Sequence, residues 1–308
     1  MRLRSLGLAL AISAIITAAA GAQAAYGDGD RDLVPTGKGW GVPAPGLEKR
    51  GRKPPAPPPA NNGINYHNGP VMLGAINIYY IWYGNWDGNS AVDILTDEAE
   101  SIGGTPWFNI NTTYWDKANK RVSNSVVFKG STTDDYSRGV SLSDDDVRDI
   151  VADAITSGRL PKDANGVYFV LTSPDVGEMS GFCTDYCGWH TYDKIGGADI
   201  KFAFIGGVER CPNVCTRLRF HSPNDNVGAD GMASIVAHEL AEAVTDPLLN
   251  AWYTGRGEEN ADKCAFTYGT VYTAPNGAGA NVQWGPRDFL IQQNWVNAKG
   301  GYCGLSYP

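Results

Sequence analysis

The sequence predicts an α+β fold of mixed layers: a twisted sheet with helices packed on it, stapled by disulfides. Three observations carry that reading. Runs rich in branched and aromatic residues (VMLGAINIYYIWY from Val71 to Tyr83, GVYFVLTS from Gly166, IKFAFIGG from Ile200) have the composition of buried strands. Segments with helix start and stop signals fall between them, so strands and helices share one core. A hydrophobic content of 43%, with 9 Trp, 15 Tyr and 9 Phe, is enough to fill that core.

In chain order, residues 1–24 read as a secretory signal. Arg2 and Arg4 supply the positive start, Leu6 to Ala20 is apolar and uncharged, and Ala22-Gln23-Ala24 is a small-x-small cleavage site. Residues 25–62 read as a proline-rich linker or pro-region of low order. They contain Pro43-Ala44-Pro45-Gly46 and Pro54-Pro55-Ala56-Pro57-Pro58-Pro59, which favour extended polyproline geometry. Between the two lies the basic run Lys49-Arg50-Gly51-Arg52-Lys53, a solvated linker or, as the rival reading, a processing or wall-adhesion segment. A single domain is expected over residues 63–308. Within it, Ser90 to Gly103 reads as a helix closed by a glycine pair. Ser143 before Asp144, Asp145 and Asp146 starts another that ends near Gly158, because a side-chain cap and acids both suit a helix N-terminus. Gly231 to Thr245 is the third, with Asp230 as its cap and Pro247 ending it.

The net charge of −8 argues against a nucleic-acid partner, which would need a basic surface. No stretch after the signal is long and apolar enough to span a membrane. The six cysteines, Cys183, Cys187, Cys211, Cys215, Cys264 and Cys303, are an even set in an exported chain and predict three disulfides. Their pairing stays open, and the two C-x3-C pairs are expected to be local staples rather than zinc ligands.

The segment from Asp230 to Pro247 carries the chemistry. His238 and Glu242 are four apart and share a helix face, while Glu239 falls inside the apolar arc between Ile235 and Ala243. Buried carboxylates beside a histidine need a cation or strong donors. The spacing resembles the zincin helix H-E-x-x-H, with Glu242 standing where the second histidine would be. The reading is therefore a zinc site of His238 and Glu242 with Glu259 or Asp262 as third ligand and His190 as an outside choice. In such a site zinc activates water and polarises a carbonyl, and Glu239 is the general base. The rival is a simple hydrogen-bonded pair of His238 and Glu242.

Other residues invite blander readings. His67 and His221 are expected on the surface, and Trp82, Trp86, Trp107 and Trp115 in the core rather than a sugar groove. Asn111-Thr112-Thr113 is a glycosylation sequon if a eukaryote makes the chain. Asp144 to Asp146, the paired acids a carbohydrate-active enzyme would use, are better explained as a helix start.

Several blocks in one order are similar to the exordium, or phosphate-induced protein 1, family. They are GPVMLG from Gly69 with the strand to Trp86, GFCTDYCGWH from Gly181, CPNVC from Cys211, Pro223-Asn224, GADGM from Gly228, HELAEAVTDPLLNAWY from His238, and ENADKC from Glu259. The resemblance runs from about Gly63 to Cys303. It implies a secreted, apoplastic or wall-associated protein of the kind linked to growth in plants, and it leaves the reaction open. This chain keeps the His238-Glu239 pair that some plant members lack, with Asp246 where they often have Asn. Two functions follow: a secreted zinc peptidase acting on extracellular polypeptide, or a non-catalytic protein binding a cell-wall component, with a structural metal or a polar core.

Overall fold

The computed structural model describes residues 32–39, 63–218 and 220–308. The apolar runs become the middle of a five-stranded sheet. Its strands are β1 (Ile76–Tyr83), β2 (Val126–Asp134), β3 (Gly166–Thr172), β4 (Gly188–Ile195) and β5 (Ala198–Ile205), in the order β2-β1-β3-β5-β4. Neighbours are parallel except β4, which runs antiparallel to β5 and forms one edge. All of β3 and all of β1 except Asn77 are buried. That is the expected burial of central parallel strands covered on both faces, and it explains why they read as unbroken apolar runs. The expected strand from Val71 starts later, at Ile76. Gly74 takes a left-handed φ of 71°, and Met72 donates its N–H to Val244 O instead of joining the sheet.

Three helices pack on this sheet: α1 (Ala91–Ser101), α2 (Asp144–Thr156) and α3 (Val227–Thr245). Ser143 and Asp146 form a reciprocal capping box at the start of α2, so the acidic cluster is a helix start. Helix α3 is nearly all buried, and it begins four residues before Gly231 with Asn226, not Asp230, as its cap. Gly228 and Gly231 look like helix breakers in the sequence, yet both serve close packing. A Cβ on them would lie 2.3 Å from the Glu209 carboxyl carbon and 2.7 Å from Val208 Cγ1. Asp230 is buried in the first turn and accepts hydrogen bonds from the backbone and side chain of Asn224.

All six cysteines are paired, as Cys183–Cys211, Cys187–Cys215 and Cys264–Cys303. The two C-x3-C pairs are thus joined to each other and are not local staples. Together they tie the loop before β4 to the short helical turn Pro212–Cys215. The four tryptophans belong to the core or its margin, with Trp115 stacked edge-on against Trp252. Asn111 is fully buried and its Oδ1 accepts from Asn260 and Asn294, so the folded sequon is closed to a glycan. His67 departs from a plain surface histidine: it stacks on Tyr253 and meets Asp32 at 2.9 Å, whereas His221 is exposed.

The signal segment and most of the proline-rich region lie outside the described residues. Residues 32–39, placed by the sequence in the linker, lie against the domain. Leu33 N–H donates to Gly255 O, and Gly37 O accepts from His190 N–H on β4. Among the described residues no helix is long and apolar enough to cross a membrane.

Candidate metal centre

The site is built where α3, β4 and the segment after α3 converge. Gly188 opens β4 and lets the helix approach: a Cβ there would lie 2.6 Å from Ile235 Cγ2 and 3.2 Å from Glu239 Oε1. At the helix end, the Asp246 carboxylate accepts from the N–H groups of Asn250 (2.6 Å) and Ala251 (2.7 Å) and turns the chain back. The returning segment docks on α3: Asn260 Nδ2 donates to Ala241 O, and Asp262 N–H donates to Glu242 Oε1 at 3.0 Å. The Cys264–Cys303 disulfide anchors its far end. Together these contacts bring Glu242 and Asp262, 20 residues apart, to one point.

Glu242 sits between two groups. Its Oε1 lies 3.1 Å from His238 Nε2, and His238 Nε2 lies 3.5 Å from Asp262 Oδ1. Its Oε2 lies 3.6 Å from His190 Nε2, which is 3.0 Å from Glu259 Oε2. In each set the ligand-type atoms lie within 4.8 Å of one another. Four ligands at about 2.0–2.1 Å around a tetrahedral ion are roughly 3.3–3.4 Å apart, so distances of 3.1 and 3.5 Å fit that polyhedron. The two sets differ in access. His238, Glu239, Glu242 and Asp262 line a cavity of about 460 Å³, whereas His190 and Glu259 lie behind it and are fully buried.

The electrostatics describe a site short of positive charge. Burial pushes Glu242 up to about 7, Asp262 adding to the shift and His238 opposing it. Burial likewise raises Glu239 and Glu259 well above the ordinary carboxylate range. At His238, burial disfavours the charge, but Glu242 and Asp262 outweigh it and hold the imidazole well above its usual pKa. His190 is pushed down to about 3 by burial, against the pull of Asp262. Glu239 Oε2 and Glu259 Oε1 are buried with no hydrogen-bond partner among the described residues. An unpartnered buried carboxylate oxygen is costly, and a cation would offset that cost.

The residues expected from the sequence are therefore gathered, in two sets. His238, Glu242 and Asp262 converge at the cavity wall, with Glu239 beside them. Glu259 is close to Glu242 but on its inner side, where it pairs with His190. His190 carried only a faint signal, a histidine in the half-alternating run GWHTYDKI. Its pairing with a residue 69 positions away was not readable.

Residues 64–283 match the family model described as the phosphate-induced protein 1 conserved region. The chain belongs to that family. Protein EXORDIUM-like 5 of Arabidopsis thaliana is 34% identical over 268 residues, covering 77% of this chain and 72% of that protein. Protein EXORDIUM-like 3 of the same plant is 32% identical, covering 78% and 82%. Protein PHOSPHATE-INDUCED 1 of Nicotiana tabacum is 32% identical, covering 68% and 74%. No solved structure matches significantly. The family region holds β1 to β5, α3 and the whole candidate centre, while residues 32–39 precede it.

Proposed function

We propose that this family member is an extracellular zinc-dependent peptidase whose metal is held by His238, Glu242 and Asp262. The observation that carries the reading is the convergence of these three on the wall of a cavity, next to Glu239, whose buried Oε2 has no partner among the described residues. One imidazole and two carboxylates are an acceptable zinc donor set, and the open side leaves room for substrate. Zinc bound there would supply a Lewis acid for a carbonyl and for water. The chain's own groups do the rest. Glu239 would accept a proton and return it to a leaving amine. The Asp262 N–H fixes Glu242 Oε1, and the His190–Glu259 pair behind Glu242 holds its orientation. The family and the three disulfides are consistent with an exported protein, which supports the extracellular assignment.

A second reading keeps the same residues without catalysis, as a polar core or structural metal site of a cell-wall-binding protein. The inner set favours it, because His190 and Glu259 are closed to solvent. Glu239→Gln separates the two. For a peptidase, zinc stays bound and cleavage of casein or a quenched peptide library falls about 10²–10⁴-fold, the usual worth of general-base help. Wild-type protein that binds zinc and cleaves nothing in the library would leave only the second reading.

A further inference from the structure

Residues 32–39 precede the family region and reach the candidate centre. Gly37 O accepts a hydrogen bond from His190 N–H at 3.2 Å, on the edge of β4 that faces away from β5. It is a single backbone bond from a bent segment, residues 37–39, to the sheet edge. Gly37 fits because it has no side chain: its φ is 71°, and a Cβ would lie 1.8 Å from His190 O.

Lys38 then fills a made-to-measure place. Its Nζ donates to Asp144 Oδ2 and Ser180 Oγ, both at 2.6 Å, and lies 5.1 Å from the ring centres of Tyr186 and Trp189. Ser180 is itself held by Asp144, Glu178 and Tyr186. Gly39 passes over the metal-ligand side, where a Cβ would come within 3.5 Å of Asp262 Oδ1. Gly37, Lys38 and Gly39 line the same cavity as His238, Glu239, Glu242 and Asp262. Upstream, Asp32 accepts from Asn65 Nδ2 at 2.8 Å and meets His67, which ties down the other end.

We propose that the outer edge of β4, with the Asp144–Ser180–Tyr186–Trp189 pocket, is a docking groove for a polypeptide segment bearing lysine between small residues, and that residues 32–39 are its built-in occupant, a strap that obstructs the centre. The docking stands on this geometry alone, and the inhibitory consequence rests on the peptidase reading. Being tethered, the strap acts at a high effective concentration that a free competitor must overcome. In the sequence, the basic run at 49–53 lies between the strap and the domain, so cleavage there would turn a tethered occupant into a dissociable one.

The test uses the full mature chain and a fluorescein-labelled peptide of residues 32–39, read by fluorescence anisotropy with no metal added. Gly37→Val should dislodge the strap, and the variant should bind the peptide at least 10-fold more tightly than wild type. Lys38→Ala is the second variant, should Gly37→Val fail to fold, and should act in the same direction. The same peptide carrying alanine in place of its lysine should lose at least 10-fold in affinity for either variant, as should Asp144→Asn combined with either. Equal affinity of wild type and variants, or no binding by any of them, overturns the proposal. Casein hydrolysis, followed in parallel samples of the same proteins loaded with zinc, distinguishes the two readings. Docking with higher hydrolysis in the variants supports the inhibitory role, whereas docking with no hydrolysis in any form counts against the peptidase and leaves the groove.

Discussion

Glu98 on α1 is fully buried, and neither of its carboxyl oxygens has a partner among the described residues. Burial, reinforced by the nearby Asp230, holds its pKa well above the ordinary 4.5. A carboxyl raised in the folded state keeps its proton there while the unfolded chain releases it. Its stabilising share is therefore present below the unfolded pKa and is lost as the pH rises toward the folded one. Glu98→Gln removes that loss. Its melting temperature relative to wild type should rise between about pH 4 and about pH 8, as thermal melts at both values would show. A flat difference would mean that Glu98 is charged in the fold. The same physics made Glu239 legible from sequence: an acid inside an apolar arc needs a reason, and the arc is local to one helix. The partnership of His190 with Glu259 was not legible. It depends on β4 lying beside the segment after α3, and no periodicity within 190–259 encodes that.

At the scale of elements, helix α2 and the central strands were readable because caps and apolar runs act locally, over a few residues. The start of α3 was misread because glycine signals both breakage and close approach, and only the packed Val208 and Glu209 decide between them. Even cysteine counting gave three bridges, but pairing is a tertiary property. Cys183–Cys211 and Cys187–Cys215 cross-link two C-x3-C pairs 28 residues apart, and the sulfurs of Cys211 and Cys215 lie 3.5 Å from each other. Cys187 also lines the cavity. Replacing Cys187 and Cys215 together by serine should cost about 2–4 kcal/mol of stability, the usual value for a loop of this size. Urea denaturation of the oxidised proteins checks it. A midpoint unchanged from wild type would mean that the neighbouring bridge already constrains both segments.

Across the whole molecule, a mostly parallel sheet ends in one antiparallel strand, and the cavity opens beside that strand and along α3. This arrangement gives the family region one place where a helix face, a sheet edge and a disulfide-held loop meet, and His238, Glu239, Glu242 and Asp262 stand there. The strap at residues 32–39 was hidden from sequence reading, because proline, glycine and threonine next to a low-order region look like linker. Its docking depends on the β4 edge, which exists only once the sheet has formed. Whether this meeting point binds zinc is decided by the metal content of folded, oxidised protein after exposure to zinc and dialysis, with His238→Ala treated in parallel. Wild type should hold about one zinc per chain, as a single tetrahedral site requires, and His238→Ala should lose it with the fold retained. Wild type without zinc, or His238→Ala holding as much as wild type, would contradict zinc binding at this point.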